Sequence, residues 1–518
     1  MADLKAYRAF DFSGGLDVNT SKTVLAYAKK NTRLTIANNV VYPTSSGVSK
    51  RYDVANGNTT TLGAAVAITG GRELRLSSGT NKVIVGTNDG RLVRIDTDGT
   101  TENLVTGLTA STRWSMAQYN DLLICVDGVN APRKTDGTVG GTTTLGGTPP
   151  PTANKVLVHR NHVLLFDATN RTRLTISALD NPEDYTTAND RALIDIDTKD
   201  GGILTDMVSL TNGDAILFKD RSVHRLQGSG FTSWVRLPLT QSSGCLSLSG
   251  ALTAGLEAFW PNEEGIIALA TVIEYGDYLP ARISDAVEDY FQPGSALALS
   301  FAALNLAVGV YDRHNRRLMF AFDSDADSKN DLLLVYDLGA CAWSVWPTRV
   351  GTTKWSIASM WTVKNATTGI DEVWAGGYDG FARILNRNVS TNAIITTAEH
   401  ISALGAPGVE KVLRRLYMYF DTESATSIDV QVTSDFGVNG GQAFHFNLLN
   451  PNTDLLGTTF ILGVSVLGAQ TRIMKRMDAH VIGDVIQVAV DNREALGDFT
   501  WLGYEAHYRE RRVVRRGT

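Results

Sequence analysis

The chain is short of the residues that staple or stiffen a fold. Three cysteines in 518 residues, Cys125, Cys245 and Cys341, lie more than ninety positions apart, which leaves neither a disulfide framework nor a Cys-x-x-Cys metal knuckle. Proline is scarce at 13 residues, so few rigid linkers are expected. The opening MADLKAYRAF has no basic stretch followed by an apolar one, and a secretory signal is not expected from it. Long apolar runs are missing too. Gly294 to Tyr311 carries no charge, but it leans on alanine, is broken by Ser295, Ser300 and Asn305, and meets Asp312 at once. It predicts a short buried helix running into a strand rather than a membrane span. Nucleophile elbows, Walker loops and dinucleotide fingerprints are absent, and with them the commonest routes to an enzyme assignment.

What is present is glycine, 48 residues, in a chain that is 43% hydrophobic and 20% charged with a formal charge of −6. That composition can bury sizeable cores and excludes disorder for the whole. Short β-branched or aromatic runs bounded by Asp-Gly or Asn-rich turns recur from Lys82 to Asn388 without long amphipathic helices between them. Seven strand-turn-strand units begin near Lys82, Asp121, His162, Asp214, Leu256, Arg316 and Asp371, about 40 to 60 residues apart, the size of a four-stranded propeller blade. The first and last resemble each other. Val83, Gly86, Asp89-Gly90 and Arg91 fall at the spacing of Val373, Gly376, Asp379-Gly380 and, two residues later, Arg383. Similar hairpins at the two ends are what a closed ring needs if its last blade lies beside its first. The fold expected is all-β: a β-propeller of roughly six to eight blades over residues 61–390, an N-terminal segment 1–60, and a C-terminal β domain 391–518. The C-terminal strands lack blade spacing and read as a sandwich that forms a platform with the N-terminal segment. The run Gly140 to Thr152, with its triple proline, reads as a linker or exposed loop.

Candidate chemical groups are few. Propeller glycosidases draw carboxylates from separate blades, which makes Glu263, Glu264, Asp285 and Glu288 candidates beside the reading of solvated turn residues. His159 and His162, read as the start of one strand, point to opposite faces and do not chelate one ion. Asp323, Asp325, Asp327, Asn330 and Asp331 resemble a calcium loop, but Ser328 stands where glycine makes the turn and Leu334 where a bidentate glutamate belongs. A polar hairpin tip is the expectation there. Thr433-x-Asp435-x-Gly437 resembles the structural Asp-box turn of sialidase-type propellers. Trp343, Trp346, Trp355, Trp361 and Trp374 cluster within 32 residues and are expected to fill space between blades; exposed, they would stack on sugar rings. No catalytic residue, metal or cofactor is assigned.

The sharpest charge feature is the end of the chain. Arg509, Arg511, Arg512, Arg515 and Arg516 place five guanidinium groups in the last ten residues, a run suited to phosphates or an acidic protein groove. The two ends also carry a resemblance. Residues 12–53, with Gly14-Gly15-Leu16, then Ala37, Asn39 and Val40, then Gly47, then Lys50-Arg51-Tyr52, resemble the opening of tail hub proteins of short-tailed bacteriophages. The closing strands and arginine tail from Asp484 are similar to the end of that family, also called nozzle or packaged-DNA stabilisation proteins. The resemblance implies a non-enzymatic virion protein of the tail, assembled in the host cytoplasm. It implies a homohexamer ring under the portal and head-to-tail adaptor, a channel for packaged double-stranded DNA, and anchorage of tail fibres or spikes, with the arginines facing adaptor or DNA. The competing reading is a propeller that binds or hydrolyses host-surface glycan.

Overall fold

The computed structural model describes residues 4–511 except 44–46, 112, 147–149, 186–191, 231–232, 273–276, 351–352, 388–394, 423–425, 439, 449–471 and 493–496. Two compact units result, one formed by residues 1–53, 334–353 and 386–518, the other by 54–333 and 354–385.

The second unit is a β-propeller. It contains six separate four-stranded antiparallel sheets, and each of six hairpins read from the sequence supplies the middle pair of strands of one of them. In the first sheet these are Asn81–Thr87 and Leu92–Ile95, flanked by Ile68–Arg75 and Thr101–Val105. Between the fifth and sixth sheets stands the hairpin Val308–Asp312 and Arg317–Phe322, whose first strand packs beside Leu252–Ala254 and Ile357–Lys364. Closure comes from the start of the unit. Asn56 and Ala55 pair with Arg383 and Ile384 as the outermost strand of the sixth sheet, and Val83, Val85 and Val93 share a core with Trp361, Val363 and Trp374. The likeness of the first and last hairpins thus belongs to neighbouring blades.

The repeated residues have one job each. Gly90 and Gly380 take φ of 80° and 76°, open to glycine at little cost, and the aspartate before each holds an arginine just after the turn, Arg91 at 2.7 Å and Arg383 at 2.5 Å. A Cβ on Gly86 would overlap the Trp114 ring at the start of the second sheet, and one on Gly376 would overlap Ile68 at the start of the first. The glycine is where the next blade crosses. Trp114 also donates its indole N–H to the Thr87 carbonyl at 3.0 Å.

The outer strands carry weaker sequence signatures. Thr142–Thr144, inside the glycine- and proline-rich run that reads as a linker or exposed loop, is the fourth strand of the second sheet. The uncharged Gly294 to Tyr311 run resolves into a 3-10 turn, Phe301–Leu306, and the strand Val308–Asp312. No helix among the described residues is long and apolar enough to cross a membrane.

The first unit has two main sheets. One is built on Lys411–Asp421 and Thr500–Glu510, with Lys5–Ala9 and Arg472–Met477 on either side. The other runs Arg33–Asn38, Thr396–Ala403, Val485–Asn492, Ser427–Ser434, Gly441–Asn447. Side chains from both meet in one core, where Phe12 contacts His400 and Trp501 at ring distances of 5.4 and 4.4 Å. His400 bonds the Asn31 carbonyl through Nε2 at 3.1 Å and the Tyr504 hydroxyl through Nδ1 at 3.0 Å. A carbonyl only accepts, so Nε2 carries the proton and Nδ1 accepts from the tyrosine. Residues 334–353 join this unit although their sequence reads like a blade hairpin. Asn38 pairs with Val345, and the Trp346 indole donates to the Val40 carbonyl at 2.9 Å.

Two outcomes follow. Gly86→Ala is expected to destabilise the protein by about 1–3 kcal/mol through overpacking, while Gly230→Ala, with open space around it, leaves the thermal midpoint unchanged; calorimetry of the two variants decides. Burial lowers the His400 pKa from 6.5 to about 4. Folding therefore favours the neutral ring: its contribution is complete above pH 6.5 and is lost as pH falls towards 4, about 3 kcal/mol in all. His400→Gln is expected to flatten the denaturation midpoint across pH 6.5 to 4 relative to the native chain.

Candidate functional site

Cross-strand register assembles a basic cleft in the first unit. Val412 lies between Ile482 on one side and Arg509 on the other, and the ladder bulges between Leu413 and Arg415, so the extra residue, Arg414, is turned out beside them. The resulting surface cleft, of about 460 Å³, is lined by Val412, Arg414, His480, Ile482, Arg509, Glu510 and Arg511. Its carboxylates are engaged: Glu510 holds Lys5 at 2.6 Å, and Glu410 faces Arg511 at 3.6 Å. Arg414 and Arg509 are exposed and have no ion-pair partner among the described residues. Of the five tail arginines, Arg509 and Arg511 are brought to this cleft, while Arg512, Arg515 and Arg516 lie outside the described residues. Arg414 and His480 are the members sequence reasoning missed, because only strand pairing brings them next to the tail.

One wall of the cleft is pinned from below. The buried Lys411 ammonium reaches the Asp484 carboxylate and the Ala406 carbonyl, and Asp484 also accepts from the Tyr27 hydroxyl and the Gly408 N–H, both at 2.8 Å. These bonds outweigh partial burial and hold the Asp484 pKa below the usual carboxylate range. The Asp435 carboxylate of the Asp-box-like stretch accepts from the Asp484 and Val485 N–H groups at 2.8 and 3.0 Å. It fastens its loop to another strand.

The motif that carries the family resemblance is structural. Gly15, at φ 63°, passes against Ala342 and Trp343, where a Cβ would overlap. Asn39, at φ 56°, accepts from Arg51 Nε at 2.9 Å, and the Arg51 guanidinium lies 5.0 Å over the Trp346 ring. Burial pushes the Arg51 pKa down to about 9, against the pull of Asp53. Lys50 Nζ reaches Asn492 Oδ1 at 2.7 Å.

The remaining candidates are placed as follows. His159 and His162 do not begin one strand. Arg160 and Asn161, at φ 49° and 63°, form a two-residue hairpin turn, and the histidines are cross-strand partners on one face. They pack on Trp234, 6.2 and 5.5 Å between rings, and bond Ser209 and the Ser177 carbonyl. The five clustered tryptophans are all buried, so none offers an exposed stacking face. Asp285 and Glu288 both pair with Arg282, at 2.6 and 3.0 Å. Glu263 and Glu264 lie exposed on the turn between Glu257–Asn262 and Gly265–Val272.

At the acidic tip, Asp323, Asp325 and Asp327 do converge, but Asp323 spends its oxygens on the Asp325, Ala326 and Ser328 N–H groups. The Lys354 ammonium meets Asp325, Asp327 and Asp331, which raises its pKa well above the ordinary lysine value despite partial burial. A cation is already supplied in covalent form.

Across the propeller ring, Arg113, just before the inner strand of the second sheet, donates to the Leu306 carbonyl at 3.1 Å, just before the hairpin on the far side. Lys155 of the third sheet reaches Asp206 of the fourth at 2.5 Å and the Leu248 carbonyl at 3.0 Å. Arg113 thus reaches across the ring, while Lys155 ties neighbouring sheets together.

No family model and no curated protein matches the chain. Among solved structures, YCF48 bound to D1 peptide aligns at 10% identity over 65% of this chain and 96% of that one, with a TM-score of 0.40. The extracellular domain of the putative one-component system BT4673 from B. thetaiotaomicron aligns at 14% over 65% of this chain and 40% of that one, TM-score 0.44. The C-terminal WD40 domain of Sif2 aligns at 12% over 69% and 98%, TM-score 0.39. These likenesses say nothing about activity.

Lys354→Met is expected to free the acidic tip for calcium. Millimolar calcium should raise the thermal midpoint of that variant by several degrees and leave the native chain unmoved; equal responses in both would refute the reading of Lys354 as the built-in cation.

Proposed function

We propose that this chain is a structural subunit of a short-tailed bacteriophage tail: a nozzle or hub that assembles as a ring, continues the DNA channel and works mechanically, without catalysis. One observation carries the reading. The residues behind the two-ended resemblance, far apart in the chain, gather in one compact unit. There Gly15, Asn39 and Arg51 set its packing, and Arg509 and Arg511 line its basic cleft. In this reading the unit made from the chain ends is the docking platform and the propeller is a rigid module.

The reach of Arg113 bears on where DNA would run. With Arg113 reaching across the propeller ring, a conduit lies between protomers in this reading, as a head-to-tail ring provides. In this reading a conduit wall with exposed, unpaired acids repels phosphates and lets a duplex slide. The glycan reading loses its stacking platforms to the buried tryptophans.

The test is microscopy of the purified chain mixed with a head-to-tail adaptor protein from the same virion. Rings with a central hole and six-fold symmetry are expected. A chain that stays monomeric with that adaptor and turns over polysaccharide would sink the proposal.

A further inference from the structure

The basic cleft continues into an apolar surface. Ile482, at its edge, is 38% exposed, and the loop Asp435–Val438 lies against it, with Phe436 44% and Val438 82% exposed. Contiguity is fixed by bonds: Ser434 Oγ donates to the Ile482 carbonyl at 2.8 Å, and the Asp435 carboxylate holds the Asp484 and Val485 N–H groups. Tyr27, 39% exposed, borders the same place through its bond to Asp484. Asp435 and Phe436 sit at φ 45° and 61°, a conformation that L residues enter only when their surroundings impose it. Phe436 is therefore presented to solvent by a loop that is held from beneath, which cuts the ordering cost of a contact made through it.

We infer that this surface docks another protein, through a segment that is acidic and carries apolar side chains. The charge argument selects acid, since Arg414 and Arg509 are exposed without an ion-pair partner among the described residues while Glu510 and Glu410 are engaged by Lys5 and Arg511. The apolar argument selects a protein over a nucleic acid. A phosphodiester backbone answers the arginines but offers nothing to Val438, Phe436 and Ile482, whereas an acidic segment with leucine-like side chains covers both halves. Arginine beside exposed aromatic and aliphatic groups is the composition of a protein-binding hot spot. The inference goes beyond the tail reading, because a chain that forms no ring can still bind such a segment.

The experiment is fluorescence anisotropy on the full chain with a labelled peptide of Glu-Leu-Leu-Glu repeats, a Lys-Leu-Leu-Lys control and a short DNA duplex, over a range of salt. The acidic peptide is expected to bind at least tenfold tighter than the control and to resist competition by the duplex. The triple variant Arg414→Ser, Arg509→Ser, Arg511→Ser should lose about tenfold and flatten the salt dependence. Phe436→Ser with Val438→Ser should lose about fivefold at unchanged salt dependence. Should that pair lower the thermal midpoint, Val438→Asp alone, at a position outside any core, serves instead and is expected to weaken the acidic peptide. Binding that ignores the changes at Phe436 and Val438 but yields to the duplex would make the cleft a phosphate site and overturn the inference, as would failure of the acidic peptide to bind at all. Ring formation by variants that no longer bind peptide leaves the tail reading standing.

Discussion

Everything in the propeller depends on a clasp of two residues. Ala55 and Asn56 pair with Ile384 and Arg383, and without that pairing the first and sixth sheets would each end in an apolar face with no neighbour. Closing so long a stretch of chain costs little more entropy than closing a short one, because the cost grows only with the logarithm of length. The return is a whole interface, Val83, Val85 and Val93 against Trp361, Val363 and Trp374, and the removal of two free sheet ends from solvent. The clasp also keeps the inner strands in a ring, across which Arg113 reaches the Leu306 carbonyl.

The same closure explains what could be read in the sequence. The middle two strands of a blade are buried on both faces and joined by a tight turn, so Val83 to Ile95 or Val373 to Ile384 shows both a β-rich run and an Asp-Gly signal. First and fourth strands have weaker signatures. Thr142–Thr144 is polar and partly exposed, and nothing local separates it from a loop; its status comes from pairing with Arg133–Thr135. The His159 pair failed for a related reason. A period-two argument assumes an unbroken strand, and the left-handed Arg160 and Asn161 break it with no glycine to announce the turn. Residues 334–353 carry blade texture, and what assigns them to the other unit is a set of distant partners, Asn38, Val40 and Arg51.

The cleft divides in the same way. Arg509 and Arg511 stand out as part of a charge run, visible in any window of the last ten residues. Arg414 and His480 are single basic residues in unremarked surroundings. They become neighbours of the tail because Val412 pairs with both Ile482 and Arg509, and because one residue too many in the Lys411–Asp421 strand turns Arg414 outward. Asp435 stands in a motif that suggests a local hairpin tie, and its carboxylate caps amides on another strand, far along the chain.

Net charge is the least informative number the sequence supplies, and the structure shows why. Many carboxylates are consumed internally: Asp484 by the buried Lys411, Asp200 by the buried Lys219, the acidic tip by Lys354, Asp206 by Lys155. A carboxylate paired within the fold presents little field to a partner. Beyond about 8 Å at physiological salt, unpaired exposed charges are screened as well. What a docking segment meets at the cleft is therefore the local sum, in which Arg414 and Arg509 are uncompensated among the described residues. A chain that is acidic on average can thus hold a basic docking site, provided that the acids near it are already bound to something else.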